Sequence, residues 1–261
     1  MKVNISVITI CFNNPEELAT TCASVDRQLT LPFEHWIIDG STNDNIRKFL
    51  SNTPQPSYRK WISERDSGIS DAFNKGIKRA SGEVVNMLNS GDHYFNENTL
   101  SIVEEAFIKE PAIAWLHSKY VLQRGGKWVT IGKPFNKKKL YRGMRSLAHQ
   151  SMFVKKELHN KYGLYDTSLT IAMDYDFVCR IAEEPFAFLE ECLIVFAPGG
   201  VSQLNYFKSL KQAKIVYKQY FGASFKLTLW QVRLQLLHIV LNSPLGKFLY
   251  RIKVLFKLEN V

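Results

Sequence analysis

Closely spaced cysteines are missing from this sequence of 261 residues. The wide spacing disfavours a zinc site or a disulfide framework and favours a reducing compartment. The four cysteines are Cys11, Cys22, Cys179 and Cys192. We also expect no signal peptide, because the apolar run that begins at Val3 is soon broken by Asn13, Asn14 and Pro15. We therefore expect a cytoplasmic protein that is not secreted.

Acidic residues are almost absent from the last quarter of the chain. From Cys192 to Val261 there are 10 lysines and arginines against the single Glu259, a net charge of +9. From Met1 to Glu191 the count is 24 basic against 23 acidic residues, a net charge of +1. The tail therefore carries nearly all of the formal charge, which suggests an acidic partner for it, either an anionic membrane face or nucleic acid.

Long uninterrupted apolar runs are also missing. The most apolar stretch, from Leu227 to Leu241, contains Arg233 and His238 and ends short of the roughly 20 residues that a membrane span requires. An apolar helical stripe beside lysines precedes it, and a basic, aromatic-rich segment from Lys247 to Lys257 follows. We expect residues 205–261 to form an amphipathic helical appendage that docks peripherally on the cytoplasmic face of the inner membrane. Packing of these helices on the domain, or on a second copy in a homo-oligomer, is the alternative.

Strand-like and helix-like patterns alternate in the first part of the chain. Strand-like runs begin at Val3, Glu34, Tyr58 and Val84, which are 24 to 31 residues apart, and helical patterns fill the gaps. This spacing predicts an α/β fold with a Rossmann-like, mostly parallel central sheet flanked by helices. Asp39 and Asp92 follow the second and fourth strands, so both carboxylates fall at the same sheet edge, where open α/β sheets bind ligands.

Five motifs carry a family resemblance and occur in the family's order between about Val3 and Val201. They are IDGSTNDN (38–45), DSGISDAFNKGI (66–77), LNSGD (88–92), HQSMF (149–153) and MDYDFVCRI (173–181). The chain resembles family 2 glycosyltransferases of the GT-A fold, and in particular bacterial enzymes that build surface polysaccharides. The resemblance implies an inverting transferase of the hexosyltransferase type, a nucleotide-sugar donor, a glycan acceptor and a divalent metal ion. It also implies a catalytic domain over residues 1–204, with a nucleotide-binding half (1–95) and an acceptor-binding half (96–204).

The resemblance assigns the metal and the catalytic base. Asp92 matches a ligand for Mn²⁺ or Mg²⁺, although Asn89 stands where relatives usually carry a first aspartate, so the ion would depend on the phosphates of the donor. Asp174 matches the general base that takes the proton of the acceptor hydroxyl, with Met173 in place of the usual Glu. Asp176 lies two positions further on a predicted helix, points to a different side, and is expected to pair with Arg180.

The resemblance also outlines a donor pocket. It implies that Asp39 and Asp71 hold the base and ribose beside the main chain near Thr9 and Cys11, and a carboxylate facing an imide N–H favours uracil, hence a UDP-sugar. Asp71 in the first turn of its helix would equally suit the helix dipole. The remaining donor candidates are Asp66, Lys75, Asn89, Ser90 and Gly91. His149 and Gln150 are expected near the acceptor or the diphosphate, and the basic loop from Lys133 to Arg145 could close over that diphosphate.

Three other functions are weighed against this interpretation. A sugar nucleotidyltransferase ranks second, but it would need a Gly-rich basic loop, and residues 8–15 contain no Gly, Lys or Arg. A nucleic-acid-binding protein would need base-stacking motifs that are missing, so no nucleic-acid partner is expected. A non-catalytic nucleotide-sugar-binding module stays open because of Asn89 and Met173. If the tail docks on a membrane, the acceptor is expected to be lipid-linked, for example through polyprenyl diphosphate.

Overall fold

Four parallel strands form the first half of a central sheet. The computed structural model describes residues 2–124, 126–145, 147–198, 205–244 and 246. The strands are β1 (Ile5–Cys11), β2 (Glu34–Asp39), β3 (Arg59–Ser63) and β4 (Val84–Met87), in the spatial order β3-β2-β1-β4. The helices between them are α1 (Pro15–Asp26), α2 (Asn45–Asn52) and α3 (Ile69–Arg79). All four predicted strands are confirmed, and their parallel pairing brings their carboxyl ends to one edge.

The second half of the sheet is mixed. It contains β5 (His93–Tyr94), β6 (Trp115–Arg124), β7 (Lys127–Ile131), β8 (Met152–Lys155) and β9 (Phe186–Phe196). The sheet continues from β4 in the order β8-β6-β9-β5, with β8 antiparallel to both neighbours and β7 beside β6. Arg124 faces Lys127 across the predicted β6–β7 hairpin, whose Gly125 lies outside the described residues. The helices are α4 (Thr99–Lys109), α5 (Lys156–Tyr162) and α6 (Met173–Arg180), with short 3-10 turns at Lys137–Arg142 and His149–Ser151.

Helix α3 lies directly on the sheet and fixes the loop before it. A Cβ at Gly76 would stand 2.3 Å from Cγ2 of Ile8, so only glycine allows this approach of helix to strand. Phe73 and Ile77 on the same face are buried. The helix starts after Gly68, whose φ of 129° is a conformation that favours glycine. The acidic loop from Asp66 to Asp71 is thereby held at the carboxyl edge of β1–β3.

The first tail helix belongs to the domain core. Helix α7 (Tyr206–Phe221) turns its apolar stripe onto the core beside α6, where Val216 is fully buried and Ala213 and Tyr217 pack around it. The side-chain carbonyl of Gln212 accepts hydrogen bonds from the main-chain N–H groups of Ile171 and Ala172. The stripe predicted to face a membrane therefore contacts protein instead, because this face covers the end of α6. The alternative of packing on the domain holds for α7.

The second tail helix, α8 (Phe225–Asn242), has two different faces. One face contacts the turn at Lys137–Arg142 through Trp230, and the other presents a row of exposed apolar side chains. No helix within the described ranges is long and apolar enough to cross a bilayer. The basic segment predicted at Lys247–Lys257 lies outside the described residues.

Candidate active site

A cleft of about 390 Å³ opens at the carboxyl edge of the parallel half, below the start of α6. It is lined by six of the predicted site residues, which come from three separate motifs. They are Asn89, Ser90 and Asp92 after β4, His149 and Gln150 before β8, and Asp174 at the start of α6. The structure thus brings together predicted site residues that are up to 85 positions apart in the sequence, the separation between Asn89 and Asp174.

Asp92 anchors the turn that follows β4. It is 3% exposed, and its carboxylate oxygens accept hydrogen bonds from the Gln150 side chain at 2.7 Å and from the Ala197 N–H at 2.8 Å. Burial raises the pKa of Asp92 to about 6, although these two hydrogen bonds and the nearby His149 act in the opposite direction. The carboxylate is therefore already engaged by protein, with one further lone pair on each oxygen.

Three oxygen atoms beside Asp92 are buried and have no hydrogen-bond partner among the described residues. They are Oδ1 of Asn89, Oγ of Ser90 and Oε1 of Gln150. Unsatisfied buried oxygens are costly unless a ligand completes them, and hard oxygens are the ligands that Mg²⁺ and Mn²⁺ prefer. In the part of the chain that the structure describes, no group of three or more His, Cys, Asp or Glu side chains could hold a metal ion. These residues therefore fit an ion that takes most of its charge compensation from a bound diphosphate.

Asp174 is linked to Asn89 through His149. Oδ1 of Asp174 accepts a hydrogen bond from the N–H of Tyr175, and Oδ2 lies 3.5 Å from Nδ1 of His149. Nε2 of His149 lies 3.1 Å from the amide nitrogen of Asn89. Because that amide nitrogen only donates, Nε2 accepts, and the ring proton is on Nδ1, facing Asp174. The ring of His149 therefore lies between Asn89 and Asp174 in the cleft.

Asp176 has the structural role expected for it. It is 3% exposed, and its Oδ2 accepts a hydrogen bond from Nε of Arg180 at 3.1 Å. The hydroxyl of Tyr220 on α7 donates to its Oδ1. Asp176 thus joins α6 to α7 and does not line the cleft, whereas Asp174 does.

The predicted donor residues from the first three strands form a second acidic group. Asp39 is fully buried, with one carboxylate oxygen accepting from the Ser41 N–H and the other from the Ser63 hydroxyl. Asp66 packs against Gly40 so closely that a Cβ there would stand 1.8 Å from its Oδ2. Burial raises the pKa of Asp66. This group lies at the carboxyl ends of β1–β3 and does not line the 390 Å³ cleft.

Asp71 and Lys75 contact each other at the start of α3. The Ser67 N–H donates to Oδ2 of Asp71, which lowers the pKa of this carboxyl, and Nζ of Lys75 lies 3.6 Å from the same oxygen. The local contacts match the alternative interpretation of Asp71 as a helix-start carboxylate. They leave Lys75 with a main-chain partner as well, the carbonyl of Arg65.

The side chains of Thr9 and Cys11 turn away from the cleft. The hydroxyl of Thr9 pairs with Nε2 of the buried His35, and the thiol of Cys11 points to the carbonyl of Ile38. Burial raises the pKa of Cys11 far above its usual value. Any contact with a donor is left to main-chain atoms at these two positions. Gly91, with a φ of 94°, does not line the cleft either, and its N–H donates to the Thr21 hydroxyl.

A smaller pocket of about 210 Å³ lies on the other side of Asp174, and no sequence pattern predicted it. Its walls include Arg142 and Met144 from the basic loop and Trp230 and Gln231 from α8. Asp174 lines both this pocket and the cleft, so its carboxylate stands on the border between two cavities. Local patterns could not place α8 here, because the contact joins segments about 90 residues apart in the sequence.

Comparison with known proteins identifies the family. The model described as glycosyl transferase family 2 matches residues 6–163. An uncharacterized glycosyltransferase of Mycobacterium tuberculosis is 33% identical over 180 residues, covering 68% of this chain and 68% of that protein. The structure of Staphylococcus aureus TarS 1–349 matches with a TM-score of 0.63 at 19% identity, over 84% of this chain and 66% of that chain, just under two thirds of its length.

A second structural match covers nearly the whole chain. The mannosyltransferase PcManGT from Pyrobaculum calidifontis, solved in complex with GDP-Man and Mn²⁺, matches with a TM-score of 0.61 at 14% identity, over 98% of this chain and 81% of that chain. TarS 1–349 has also been solved in complex with UDP-GlcNAc. At these identities the two matches establish the fold.

The fold and the cleft define a glycosyltransferase with the GT-A fold. The chain belongs to glycosyl transferase family 2, as the match over residues 6–163 shows. The predictions of family, fold class and enzyme class are thereby confirmed.

Proposed function

We propose that the protein moves a sugar from a nucleotide-sugar donor to a hydroxyl of a glycan acceptor, with inversion at the anomeric carbon. The observation that carries this proposal is the shared cleft, in which Asn89 and Asp92 form one wall and Asp174 another. Inversion requires the acceptor hydroxyl and the leaving phosphate on opposite faces of one carbon. The border position of Asp174, between the cleft and the smaller pocket, supports an acceptor that approaches from the pocket.

The diphosphate of the donor is assigned to the wall formed by residues 89–92. Asn89, Ser90 and Asp92 would hold Mn²⁺ or Mg²⁺ together with the phosphates, and such an ion would stabilise negative charge on the leaving nucleotide. The mannosyltransferase PcManGT was solved with Mn²⁺, which supports the choice of metal. The buried oxygens of Asn89 and Ser90, otherwise unpartnered, would gain their missing interaction on binding.

Asp174 is proposed as the general base, with His149 as its positioning residue. The carboxylate of Asp174 takes the proton from the acceptor hydroxyl as the new bond to the anomeric carbon forms. His149 donates from Nδ1 toward that carboxylate and accepts from the Asn89 amide, so the orientation of the base is tied to the wall that holds the diphosphate. Gln150, which donates to Asp92, orients that wall from the same turn.

The nucleoside is assigned to the acidic group at the ends of β1–β3. Asp39 and Asp66 would face the base and Asp71 the ribose, with Lys75 beside them and the main chain at Thr9 and Cys11 as the floor. A carboxylate facing an imide N–H favours uracil, and TarS, which was solved with UDP-GlcNAc, supports a UDP-sugar. The sugar nucleotidyltransferase is the second candidate, and it would take a nucleoside triphosphate instead.

A thermal-shift panel tests the donor assignment. We expect a UDP-sugar with Mn²⁺ to raise the melting temperature more than GDP-, CMP- or dTDP-sugars do, and EDTA to reduce the shift. At a ligand concentration 100 times the Kd, mass action adds about 2.7 kcal/mol to the free energy of unfolding, or roughly 5 to 10 °C for a chain of this size. Stabilisation by UTP but by no nucleotide sugar would favour the nucleotidyltransferase, and no shift with any nucleotide would contradict the proposal.

The exposed face of α8 is proposed to dock on the cytoplasmic face of the inner membrane, in surface polysaccharide synthesis with a lipid-linked acceptor. The side chains at 225, 229, 232, 236 and 239 follow helical spacing and form one apolar stripe. They are Phe225 (81% exposed), Leu229 (59%), Val232 (46%), Leu236 (58%) and Ile239 (59%). With the basic character of the tail, this stripe has the composition of an interfacial helix.

Flotation with vesicles containing phosphatidylglycerol tests this docking. The double variant Leu229→Gln/Leu236→Gln is expected to lower binding at least about tenfold, because two buried leucines contribute about 1.5 to 3 kcal/mol each. The matched control is Leu29→Gln/Leu31→Gln, which changes two exposed leucines in the loop after α1. Deletion of residues 206–261 is unsuitable, since it would also remove α7 from the core. Unchanged flotation would contradict docking, and loss of concentration-dependent self-association instead would identify the stripe as a subunit interface.

A further inference from the structure

A groove of about 1050 Å³ separates the basic loop from the two tail helices. One wall is the loop from Gly132 to Arg145, and the other is formed by α7 and the inner face of α8. Among the described residues, four basic side chains and no Asp or Glu line it, and apolar side chains line the side formed by α8. The basic residues are Lys133, Lys139, Arg142 and Arg145, and the apolar ones on α8 are Leu234, Leu237 and Leu241.

Three arginines surround Trp230, a residue of the small pocket that adjoins the groove. The guanidinium carbons of Arg142, Arg145 and Arg233 lie 5.1, 5.2 and 5.3 Å from the ring centre of Trp230. None of the three forms an ion pair with a carboxylate in the described ranges of the chain. The ring attracts each cation without neutralising it, and a bound anion with several oxygens would accept charge-assisted hydrogen bonds from such guanidinium groups.

The three cavities are neighbours and share lining residues. Arg142 and Met144 line both the groove and the small pocket, and Asp174 lines both the small pocket and the cleft. An anion held by Arg142 therefore lies next to the small pocket that Asp174, the proposed base, also lines. A sugar attached to that anion would extend toward Asp174.

We infer that this groove binds the acceptor as an amphiphile, a long isoprenoid chain that carries a phosphate or diphosphate followed by the acceptor sugar. The anionic group lies beside Arg142 and Arg145, and the chain runs along Leu234, Leu237 and Leu241, which line the same groove. Charge complementarity supports the head group, because the lining residues that the structure describes include cations and no carboxylate. The outer stripe of α8 faces away from the groove on the same helix, so a chain leaving the groove reaches the surface proposed to meet the bilayer. This inference rests on the proposed function and gives its acceptor a binding site.

Farnesyl diphosphate is a soluble probe that carries both parts of this ligand. Its affinity for the full chain is compared, by titration calorimetry, with the affinities of farnesol and of inorganic pyrophosphate. We expect farnesyl diphosphate to bind at least about tenfold more tightly than either part, since both walls contribute. Arg142→Gln/Arg145→Gln and, separately, Leu237→Gln are each expected to weaken it by about tenfold or more.

Two matched variants control for the loss of positive charge and for the loss of an apolar side chain outside the groove. Lys211→Gln/Lys218→Gln removes two charges from the exposed face of α7, and Leu229→Gln changes the outer stripe of α8; none of these three positions lines the groove. Both are expected to bind farnesyl diphosphate as the parent does. Equal loss in the controls and the groove variants, or no loss in either groove variant, would overturn the inference, as would pyrophosphate binding as tightly as farnesyl diphosphate.

The rise in melting temperature on donor binding distinguishes failure of this inference from failure of the proposed function. The melting temperature of each variant is also measured with a UDP-sugar and Mn²⁺. The groove variants should show the same donor-induced rise as the parent, because residues 89–92 are unchanged. A parent that binds farnesyl diphosphate through the groove but shows no shift with any nucleotide sugar would contradict the proposed function and leave the groove site standing. A normal donor shift with groove-independent farnesyl diphosphate binding would overturn the groove alone.

Discussion

Replacing Asp174 by asparagine is expected to slow sugar transfer by about 10² to 10⁴-fold and to leave donor affinity within about threefold. The amide keeps the size of the carboxylate and can still accept the hydrogen bond from the Tyr175 N–H, but it cannot take a proton from the acceptor hydroxyl. Donor hydrolysis measures the effect without a defined acceptor, because water then takes the place of the hydroxyl. The donor-induced thermal shift reports on affinity and fold in the same samples.

Asp176→Asn is the matched control for this variant, since it makes the same chemical change two residues away. It breaks the buried pair with Arg180, so the free energy of unfolding is expected to fall by about 3 to 5 kcal/mol. The rate per folded molecule should stay within about threefold of the parent. A parental hydrolysis rate in Asp174→Asn would remove Asp174 from the mechanism. No hydrolysis in either the parent or Asp174→Asn would favour a non-catalytic nucleotide-sugar-binding module.

Replacing Asp92 by asparagine is expected to lower transfer at least about 100-fold and to abolish the Mn²⁺-dependent part of the donor shift. The hydrogen-bond partners of Asp92 can adjust to this substitution. Both partners of the carboxylate, the Gln150 amide and the Ala197 N–H, are donors. In an asparagine, the NH₂ group would therefore face another donor. The unpartnered Oε1 of Gln150 resolves the conflict, because the Gln150 amide can turn over and accept from the new Nδ2.

We therefore expect the turn after β4 to keep its conformation in the variant, although the negative charge of the Asp92 carboxylate is lost. Urea unfolding is expected to give a free energy within about 1.5 kcal/mol of the parent, the size of one net hydrogen bond. An Asp92→Asn variant with normal transfer and a normal response to Mn²⁺ would reduce Asp92 to a turn residue that ties β4 to Gln150 and Ala197. A variant that unfolds would contradict the proposed reorientation of Gln150.

The parallel half of the fold could be predicted because its signals are local. Apolar runs at regular spacing gave β1–β4, and the carboxylates that follow β2 and β4 fell at one edge as expected. The pairing of Asp176 with Arg180 followed from helical spacing alone. The shared cavity of Asp92 and Asp174 was predicted from the family resemblance, since no local pattern joins residues so far apart.

The parts that could not be predicted depend on contacts between distant segments. An amphipathic stripe has the same sequence pattern whether it faces a bilayer or a protein core, so the burial of α7 on α6 could not be read from its spacing. The cationic neighbours of Trp230 come from two segments, and only the folded chain brings Arg142 and Arg145 to this ring, which Arg233 on the same helix also contacts. The engagement of both Asp92 oxygens likewise depends on Ala197, which lies 105 positions away.

A crystal structure of the Asp174→Asn variant with an intact UDP-sugar and Mn²⁺ would show whether the cleft places the donor between Asp92 and residue 174. We expect the diphosphate beside Asn89 and Asp92, and the anomeric carbon between that wall and residue 174, with its face opposite the phosphate turned toward 174. A donor bound outside the cleft, or an anomeric carbon with no open line to residue 174, would contradict this expectation.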